Sequence, residues 1–324
     1  MAYSTVGAGP PLLCDSGWIT HLRGQLDLFS FGDFVDGLAE RFTVIRYDKP
    51  GCGLSDRDSV DLSFDGQVAA ALAVADAVGA DRFCLFGASQ GGQLAATIAA
   101  RHPERVEALA VYGMCASGHD LAPAEVRTSV VDLVRAHWGM GLKALAGAFV
   151  TDPSADEVAE FTRFQRGSSS AAVAAQLLAV YYDTDIRAVL PAIRTPTVVL
   201  HREADRGTRF ELGREVAARI PGAVLIPLEG SSHLFYHGDW AAVLEAVVAF
   251  LDRPARTRQR LTDREFEVAE LVTEGLTNDA IARRLSIAPR TVETHVENVR
   301  RKLQVRSRAP IAAWMTEHRL RRQP

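Results

Sequence analysis

One serine in the sequence stands in a setting that suits a nucleophile. Ser89 is the centre of a G-x-S-x-G pattern over residues 87–91, which follows the apolar run 82–86. An apolar strand, this pattern and a helix-forming segment, in that order, are what a nucleophile elbow requires, because its sharp turn leaves the serine hydroxyl exposed at the edge of a sheet. A Cβ at Gly87 or Gly91 would collide with such a turn. A plain turn between a strand and a helix has the same composition, so the pattern alone leaves both interpretations open.

An acid and a base follow Ser89 in the order that this chemistry requires. A serine nucleophile needs a base within hydrogen-bonding distance and an acid that orients the base. Asp205 comes shortly after the apolar run 197–201, and His233 follows the next apolar run, 223–228. The carboxyl ends of neighbouring parallel strands meet at one edge of a sheet, where the elbow also opens. Either residue alone would suit a surface loop, but the order and the strand-end positions together predict a Ser89–Asp205–His233 catalytic triad.

The elements that would hold this triad are short apolar runs that alternate with helical patterns across residues 1–251. Such alternation is typical of a parallel β-sheet with helices on both faces, so the predicted fold class is α/β. An insertion at about 117–190 has the pattern of several helices and is rich in aromatic residues, which predicts a helical lid over the strand ends. Strands are predicted at 11–14, 42–46, 82–86, 106–112, 197–201 and 223–228, and helices at 64–79, 90–101, 211–219 and 239–251.

Charge divides the chain into an acidic body and a basic tail. Residues 1–251 hold 20 Lys and Arg against 30 Asp and Glu, a net of −10, whereas residues 252–324 hold 16 against 10, a net of +6. A basic tail favours contact with a polyanion that the acidic body would repel. An ordinary solvated basic surface would have the same charge, so charge alone gives only a modest preference for nucleic acid.

The composition is that of a soluble globular protein, with 48% hydrophobic and 23% charged residues. No stretch approaches the ~18 apolar residues of a membrane span, and the first residues lack the pattern of a secretion signal. The four cysteines are scattered without a C-x-x-C pair, which favours reduced thiols over disulfides or a zinc site. We therefore expect a cytoplasmic protein with no membrane association, no metal and no cofactor.

A proline and four arginines indicate that residues 252–260 are a linker to a second domain over 261–324. Thr277 is placed to cap one helix of that domain, and Pro289 is placed to begin the next. Apolar residues at helical spacing predict the buried stripe of this last helix, namely Val292, Val296, Val299 and Leu303. Helices are predicted near 263–274, 277–284, 289–303 and 308–318.

Residues 11–251 resemble the α/β-hydrolase superfamily. The resemblance rests on the elbow, the order of the triad and the segment 48–55, which is similar to the family's D-x-x-G-x-G-x-S turn. It implies that the backbone N–H groups of Gln90 and Trp18 form an oxyanion hole. Family members usually carry His-Gly just before the second donor, where this chain has Ser16-Gly17, so the support of the hole differs. The N-terminal segment leaves room for at most one strand ahead of the first strand above, fewer than many members have.

A narrower similarity concerns residues 17–22 and 46–49. These segments resemble the subset of such domains that actinobacteria fuse to regulatory output modules, and in which the fold often serves as a sensor. The resemblance implies a ligand pocket at the strand ends, beside the triad. For His21, a role as a cap or a surface residue stays open beside the pocket role. The residues expected to line the oxyanion hole and the pocket are Gly17, Trp18, His21, Gln90, Trp138 and Tyr181.

Residues 260–320 closely resemble the LuxR-type helix-turn-helix domain. The resemblance implies that the helix 289–303 enters the DNA major groove and that a dimer binds a two-fold symmetric site. The match covers the whole module and includes Leu261, Glu265, Gly275, Ile281-Ala282, Leu285, Thr291-Val292, His295, Lys302-Leu303, Val305 and Ser307-Arg308.

The same resemblance identifies the residues expected to contact DNA. Glu293, Thr294 and Glu297 are the base-facing positions, where a glutamate can accept from cytosine N4. The arginines and the lysine of the set are expected to contact phosphates, which position the domain without specifying sequence. The full set is Arg290, Thr291, Glu293, Thr294, Glu297, Arg300, Arg301, Lys302, Arg306 and Arg308.

Two functions are consistent with these features. The leading hypothesis is a homodimeric transcription regulator that binds DNA, senses a small and largely apolar molecule such as an ester or lactone, and contacts RNA polymerase if it is an activator. The alternative is a working serine hydrolase whose tail localises it, or whose turnover resets the signal. The length of the body and the lack of an acidic pocket exclude a phospho-acceptor receiver domain, a common partner of this DNA-binding module.

Overall fold

The computed structural model describes residues 1–58, 60–252 and 263–303, together with 311 and 315. The chain is divided into two compact units, of which the first spans Met1–Asp252 and the second Arg253–Pro324. Each unit is described by itself below. Within the described residues, no helix combines the length and the apolar character that crossing a membrane requires.

The first unit is built on a seven-stranded sheet with the order β1-β3-β2-β4-β5-β6-β7. All neighbouring strands run parallel except β1, which pairs antiparallel with β3. β1 is the single strand ahead of the first predicted strand, β2, which confirms the prediction of at most one strand there. Parallel strands that are covered on both faces are apolar throughout, and β4 is buried along its whole length. The strands are β1 Tyr3–Val6, β2 Pro11–Asp15, β3 Thr43–Tyr47, β4 Phe83–Ala88, β5 Val106–Tyr112, β6 Thr197–Arg202 and β7 Val224–Leu228.

Helices cover both faces of the sheet. Successive strand residues point to opposite faces, and because both sets are apolar, each face needs helices packed against it. Leu13 of β2 belongs to a core formed with α2, α3 and α8, whereas its neighbour Leu12 belongs to a second core formed with α1 and α9. Four of these helices were predicted from their periodicity, and α1 was not. The helices are α1 Phe31–Ala39, α2 Phe64–Ala77, α3 Gln90–Arg101, α8 Phe210–Arg219 and α9 Trp240–Leu251.

The segment between β5 and β6 folds as four helices, which we call the helical insertion: α4 Ala124–Ala136, α5 Trp138–Phe149, α6 Ala155–Ser168 and α7 Ala171–Asp183. Ser154 begins α6 with a reciprocal capping box, in which the Ser154 and Glu157 side chains each bind the other residue's backbone N–H. Ser170 caps α7 by accepting from the backbone N–H of Val173. The buried side of the insertion is apolar and forms a third core that includes Trp18 and Tyr181.

The described part of the second unit contains three helices, α10 Asp263–Thr273, α11 Asn278–Leu285 and α12 Pro289–Leu303. Thr277 caps α11 through the backbone N–H of Ala280, as predicted, and Ser286 closes that helix in the left-handed conformation. Pro289 begins α12, which confirms its predicted place. The core of the unit includes three members of the predicted stripe, Val292, Val296 and Val299. The side chain of Leu303, the linker 252–260 beyond residue 252, and most of the helix predicted at 308–318 lie outside the described residues.

Candidate active site

Ser89 lies in a strained turn between β4 and α3. Its backbone has φ 54° and ψ −123°, a conformation that is rare for a residue other than glycine and that costs free energy. The glycines on either side are required by close backbone approaches: a Cβ at Gly87 would collide with the Gly91 carbonyl oxygen, and a Cβ at Gly91 would collide with the Asp15 carbonyl oxygen. The G-x-S-x-G pattern therefore forms the sharp strand-to-helix turn that the sequence predicts.

The three predicted triad residues lie within hydrogen-bonding distance of one another. His233 Nε2 is 2.9 Å from Ser89 Oγ, and His233 Nδ1 is 2.9 Å from Asp205 Oδ2. The other Asp205 oxygen accepts from the backbone N–H groups of Gly207 at 2.8 Å and Thr208 at 3.0 Å. Burial raises the pKa of the Asp205 carboxyl, but the electrostatic attraction between this carboxylate and the His233 ring, together with the hydrogen bonds that the carboxylate accepts, outweighs burial and holds the pKa below the ordinary value. An ionised Asp205 only accepts, so His233 carries its proton on Nδ1 and Nε2 accepts from Ser89.

Backbone contacts hold the loop that carries His233. The backbone N–H of His233 donates to the Phe149 carbonyl at 2.8 Å, and the Phe149 ring lies against the imidazole with 5.3 Å between ring centroids. The buried Arg202 guanidinium donates to the carbonyls of Ser232 at 3.0 Å and Leu234 at 3.2 Å. The position of His233 thus depends on β6, which carries Arg202, and on the end of α5 in the helical insertion.

A second histidine, His201, lies against the Asp205 loop, and no role for it was predicted from the sequence. His201 Nε2 lies 2.7 Å from the Thr208 carbonyl oxygen and 3.7 Å from Asp205 Oδ2. Since a carbonyl only accepts, Nε2 carries the hydrogen and fixes the loop that donates to Asp205. Burial lowers the pKa of His201, which favours the neutral ring. The signal in the sequence was a histidine at the end of a predicted apolar strand, four residues before the predicted acid Asp205.

A buried ion pair lies beneath the elbow. Lys49 is fully buried, and its Nζ is 3.3 Å from Asp15 Oδ1 and 3.2 Å from Gln90 Oε1. The Tyr47 hydroxyl donates to Asp15 Oδ2 at 2.5 Å, and the Gly17 backbone N–H donates to Asp15 Oδ1 at 3.2 Å. Burial lowers the pKa of Lys49, while the Asp15 carboxylate opposes this shift. The pair was not predicted from the sequence, because Lys49 and Asp15 are distant along the chain.

That ion pair joins the two segments that would supply the oxyanion hole. Gln90 is the first residue of α3, and its side chain is held by Lys49. Gly17 has φ 142°, which favours glycine, and is held by Asp15, so the loop that leads to Trp18 is fixed from the same pair. The oxyanion role of the Gln90 and Trp18 N–H groups stays a prediction.

The remaining predicted pocket residues divide into two groups. Tyr181 and Trp18 pack in one apolar cluster with Trp138 at its edge, and the Tyr181 hydroxyl lies 3.4 Å from Ser89 Oγ. His21 instead uses its Nδ1 to accept from the Gly24 backbone N–H at 3.3 Å. That contact agrees with the capping alternative, and among the described residues no hydrogen bond links His21 to Ser89, Asp205 or His233. The pocket role of His21 stays a prediction.

Two further observations bound the chemistry of this unit. A cavity of about 20 Å³ lies behind the loop after β2, among phenylalanines that include Phe31 and Phe235 and beside Arg46. This volume is enough for about one water molecule, and the triad residues are not in its lining.

Across the described residues, no cluster of three or more His, Cys, Asp or Glu side chains is arranged to hold a metal ion. Within these residues, Ser89 and its partners are the group placed for nucleophilic chemistry.

In the second unit, α12 presents a polar face opposite its buried stripe. Arg290, Thr291, Glu293, Thr294 and Glu297 are all exposed. Glu297 Oε2 is paired with Arg300 Nη1 at 2.8 Å, a contact that the sequence analysis did not predict. The side chains of Arg301 and Lys302, and the whole of Arg306 and Arg308, lie outside the described residues.

Comparison with known families matches both units. A family model for the alpha/beta hydrolase fold matches residues 10–239, and a model for bacterial regulatory proteins of the luxR family matches residues 259–315. The pimeloyl-(acyl-carrier protein) methyl ester esterase of Xanthomonas campestris pv. campestris (strain B100) is 29% identical over 263 residues, which are 78% of this chain and 98% of that protein. A solved hydrolase from Pseudomonas aeruginosa PA01 superposes with a TM-score of 0.67 at 25% identity, covering 77% of this chain and 93% of that one.

The tail has relatives of its own. The nitrate/nitrite response regulator NarL of Escherichia coli (strain K12) is 38% identical over 80 residues, which are 25% of this chain. The chain spans only 36% of the length of that regulator. The protein therefore belongs to the α/β hydrolase fold family, and its sequence continues after the hydrolase-fold domain into a DNA-binding domain of the LuxR family of bacterial regulatory proteins.

Proposed function

We propose that the protein is a ligand-responsive transcription regulator. Its LuxR-family domain binds DNA, and its hydrolase-fold domain recognises a small, largely apolar molecule at Ser89. Two features on one chain carry this proposal. In the first unit, Ser89, His233 and Asp205 are hydrogen-bonded in sequence, and Tyr181 of the apolar helical insertion lies beside Ser89. In the second unit, the helix-turn-helix has an exposed polar face on α12.

The surroundings of Ser89 support an ester or lactone as the ligand class. Trp18, Tyr181 and Leu145 belong to the apolar cluster formed by the helical insertion, which suits the hydrocarbon part of a ligand. A carbonyl group at Ser89 would accept from the N–H groups of Gln90 and Trp18. The Xanthomonas relative, whose name states that it is a methyl ester esterase, supports the same class.

The second unit supports contact with DNA through α12. Its buried stripe fixes the helix in the unit, and the exposed residues from Arg290 to Glu297 are then available to base edges and phosphates. Glu293 is exposed and could accept from cytosine N4, whereas Glu297 is already paired with Arg300. We propose a homodimer on a two-fold symmetric site, with RNA polymerase as a partner if the protein is an activator.

A second candidate function is serine hydrolysis, and the complete triad geometry favours it. In that reaction Ser89 Oγ forms a bond to the carbonyl carbon while its proton passes to His233 Nε2. The bond to the alcohol then breaks, and the alcohol leaves with that proton. Water repeats the sequence on the acyl-enzyme, releasing the acid and restoring Ser89. Turnover of this kind would set the lifetime of the signal in a regulator.

Reporter transcription by the wild type and by Ser89→Ala, measured beside hydrolysis of a panel of p-nitrophenyl esters and acyl lactones, separates these functions. A pure sensor shows no wild-type turnover and a variant that still responds to the panel. A hydrolase-regulator shows wild-type turnover and a response that changes in the variant. Transcription that is identical with and without the domain of residues 261–324 would refute the regulator proposal.

A further inference from the structure

Tyr181, on the last helix of the insertion, places its hydroxyl against the nucleophile. The Tyr181 oxygen lies 3.4 Å from Ser89 Oγ and 3.7 Å from Cys115 Sγ. The side chain is 6% exposed and packs with Trp18 in the apolar cluster of the insertion. Burial raises the pKa of Tyr181 well above its ordinary value. The hydroxyl therefore keeps its proton at neutral pH.

The direction of the hydrogen bond between Tyr181 and Ser89 follows from counting protons. Asp205 only accepts, so His233 Nδ1 carries a hydrogen and Nε2 accepts the single hydroxyl hydrogen of Ser89. Ser89 then has no hydrogen left to donate to Tyr181. Where the two hydroxyls are joined, Tyr181 must be the donor and Ser89 Oγ the acceptor.

A thiol behind Tyr181 is consistent with this direction. Burial raises the pKa of Cys115 to about 12, so the group is a neutral thiol that keeps its hydrogen. Gln93 Nε2 donates to Cys115 Sγ at 3.7 Å, which leaves the S–H free to donate to the Tyr181 oxygen, also at 3.7 Å. Each group in the row Gln93, Cys115, Tyr181, Ser89 and His233 then donates to the next, and such rows reinforce their members.

We infer that Tyr181 caps Ser89, and that the Tyr181 hydroxyl must move away from Ser89 Oγ before the carbonyl carbon of a ligand can reach that oxygen. The donated hydrogen occupies a lone pair of Ser89 Oγ, the electrons that would attack a carbonyl carbon. The Tyr181 hydroxyl also fills space next to the nucleophile. This inference rests on the proposal that the Ser89 site receives an ester or lactone.

The cap is tested by the rate at which a fluorophosphonate probe labels Ser89 in the full chain, without DNA. In this reaction Ser89 Oγ forms a bond to phosphorus, fluoride leaves, and the hydroxyl proton passes to His233. Removal of one neutral hydrogen bond of about 1 kcal/mol predicts that Tyr181→Phe labels about fivefold faster than the wild type. The matched control is Tyr182→Phe, because Tyr182 stacks on Tyr181 and has no hydrogen bond to Ser89. This control should label at the wild-type rate.

The pH profile separates a cap from a general loosening of the site. Tyr181 stays protonated, so the ratio of the Tyr181→Phe rate to the wild-type rate should be constant from pH 6 to 9. An unchanged or slower rate in Tyr181→Phe would overturn the inference, a slower rate because Tyr181 would then be donating to the phosphonyl oxygen. Equal acceleration by Tyr182→Phe would also overturn it. The labelling rate is measured without DNA and therefore tests the Tyr181 cap alone. A reporter whose transcription does not respond to the ester and lactone panel would count against the regulator proposal and leave the cap unaffected.

Discussion

The buried ion pair beneath the elbow makes Lys49→Met a sharp test of how the site is held. The substitution removes the cation and leaves the Asp15 carboxylate buried with hydrogen bonds from Tyr47 and Gly17. Breaking a buried pair by removing one partner costs about 3–5 kcal/mol. Because two donors to Asp15 remain, we expect the lower value, about 3 kcal/mol. For a domain of this size that corresponds to a fall in Tm of roughly 6–12 °C.

Calorimetry of the full chain measures this effect, and three further variants control it: Lys143→Met, Asp15→Asn, and Asp15→Asn combined with Lys49→Met. Lys143→Met removes an exposed lysine from α5 and should change Tm by less than about 2 °C. Asp15→Asn combined with Lys49→Met removes both charges, so the double variant should be less destabilised than the two single variants together. A Lys49→Met transition at the wild-type temperature, or full additivity in the double variant, would refute the role given to this pair.

Three other predictions concern the triad, the insertion and the DNA-binding domain. Asp205→Asn should slow labelling of Ser89 by a factor on the order of 10³–10⁴ with unchanged circular dichroism, because the amide cannot hold the required histidine tautomer; a loss below tenfold would contradict the triad. Hydrogen bonds from His237 and Ser154 lower the pKa of Glu157 from 4.5 to about 2. The stability that Glu157 contributes is therefore complete above pH 4.5 and is lost as pH falls towards 2. The Tm difference between wild type and Glu157→Gln should shrink over that interval, and a difference that stays constant would contradict the assignment. Arg290→Ala should weaken binding to all DNA sequences about equally and reduce the salt slope by about one; a loss confined to one sequence would indicate base readout instead.

Most of the fold, and the mutual placement of Ser89, Asp205 and His233, could be predicted from the sequence for local reasons. Strand and helix positions follow from hydrophobic periodicity, and the elbow is specified within residues 87–91, where Gly87 and Gly91 are required by neighbouring backbone. Asp205 and His233 could be identified because chain order and strand ends place them at one edge of the sheet. The two hydrogen bonds of 2.9 Å within the triad agree with that placement.

The contacts that the sequence did not predict are those between distant residues. Tyr181 could be assigned to a pocket by its place in an aromatic insertion, but its contact with Ser89 bridges 92 positions and depends on how α7 packs. Lys49 lies in a family turn, where nothing local indicates that its side chain is buried against Asp15. His21 lies in a segment that resembles sensor domains, yet its ring is used at the turn before Gly24.

If a ligand at Ser89 controls DNA binding, as the proposed regulator requires, covalent modification of Ser89 changes the affinity of the chain for its DNA site. The full chain is used to select a two-fold site from a random DNA library, and its affinity for that site is then measured by fluorescence anisotropy before and after complete fluorophosphonate labelling. Couplings between sites are typically 1–3 kcal/mol, so the account predicts a change of roughly fivefold or more in the wild type and none in Ser89→Ala exposed to the same probe. Equal DNA affinity for labelled and unlabelled wild type would contradict it.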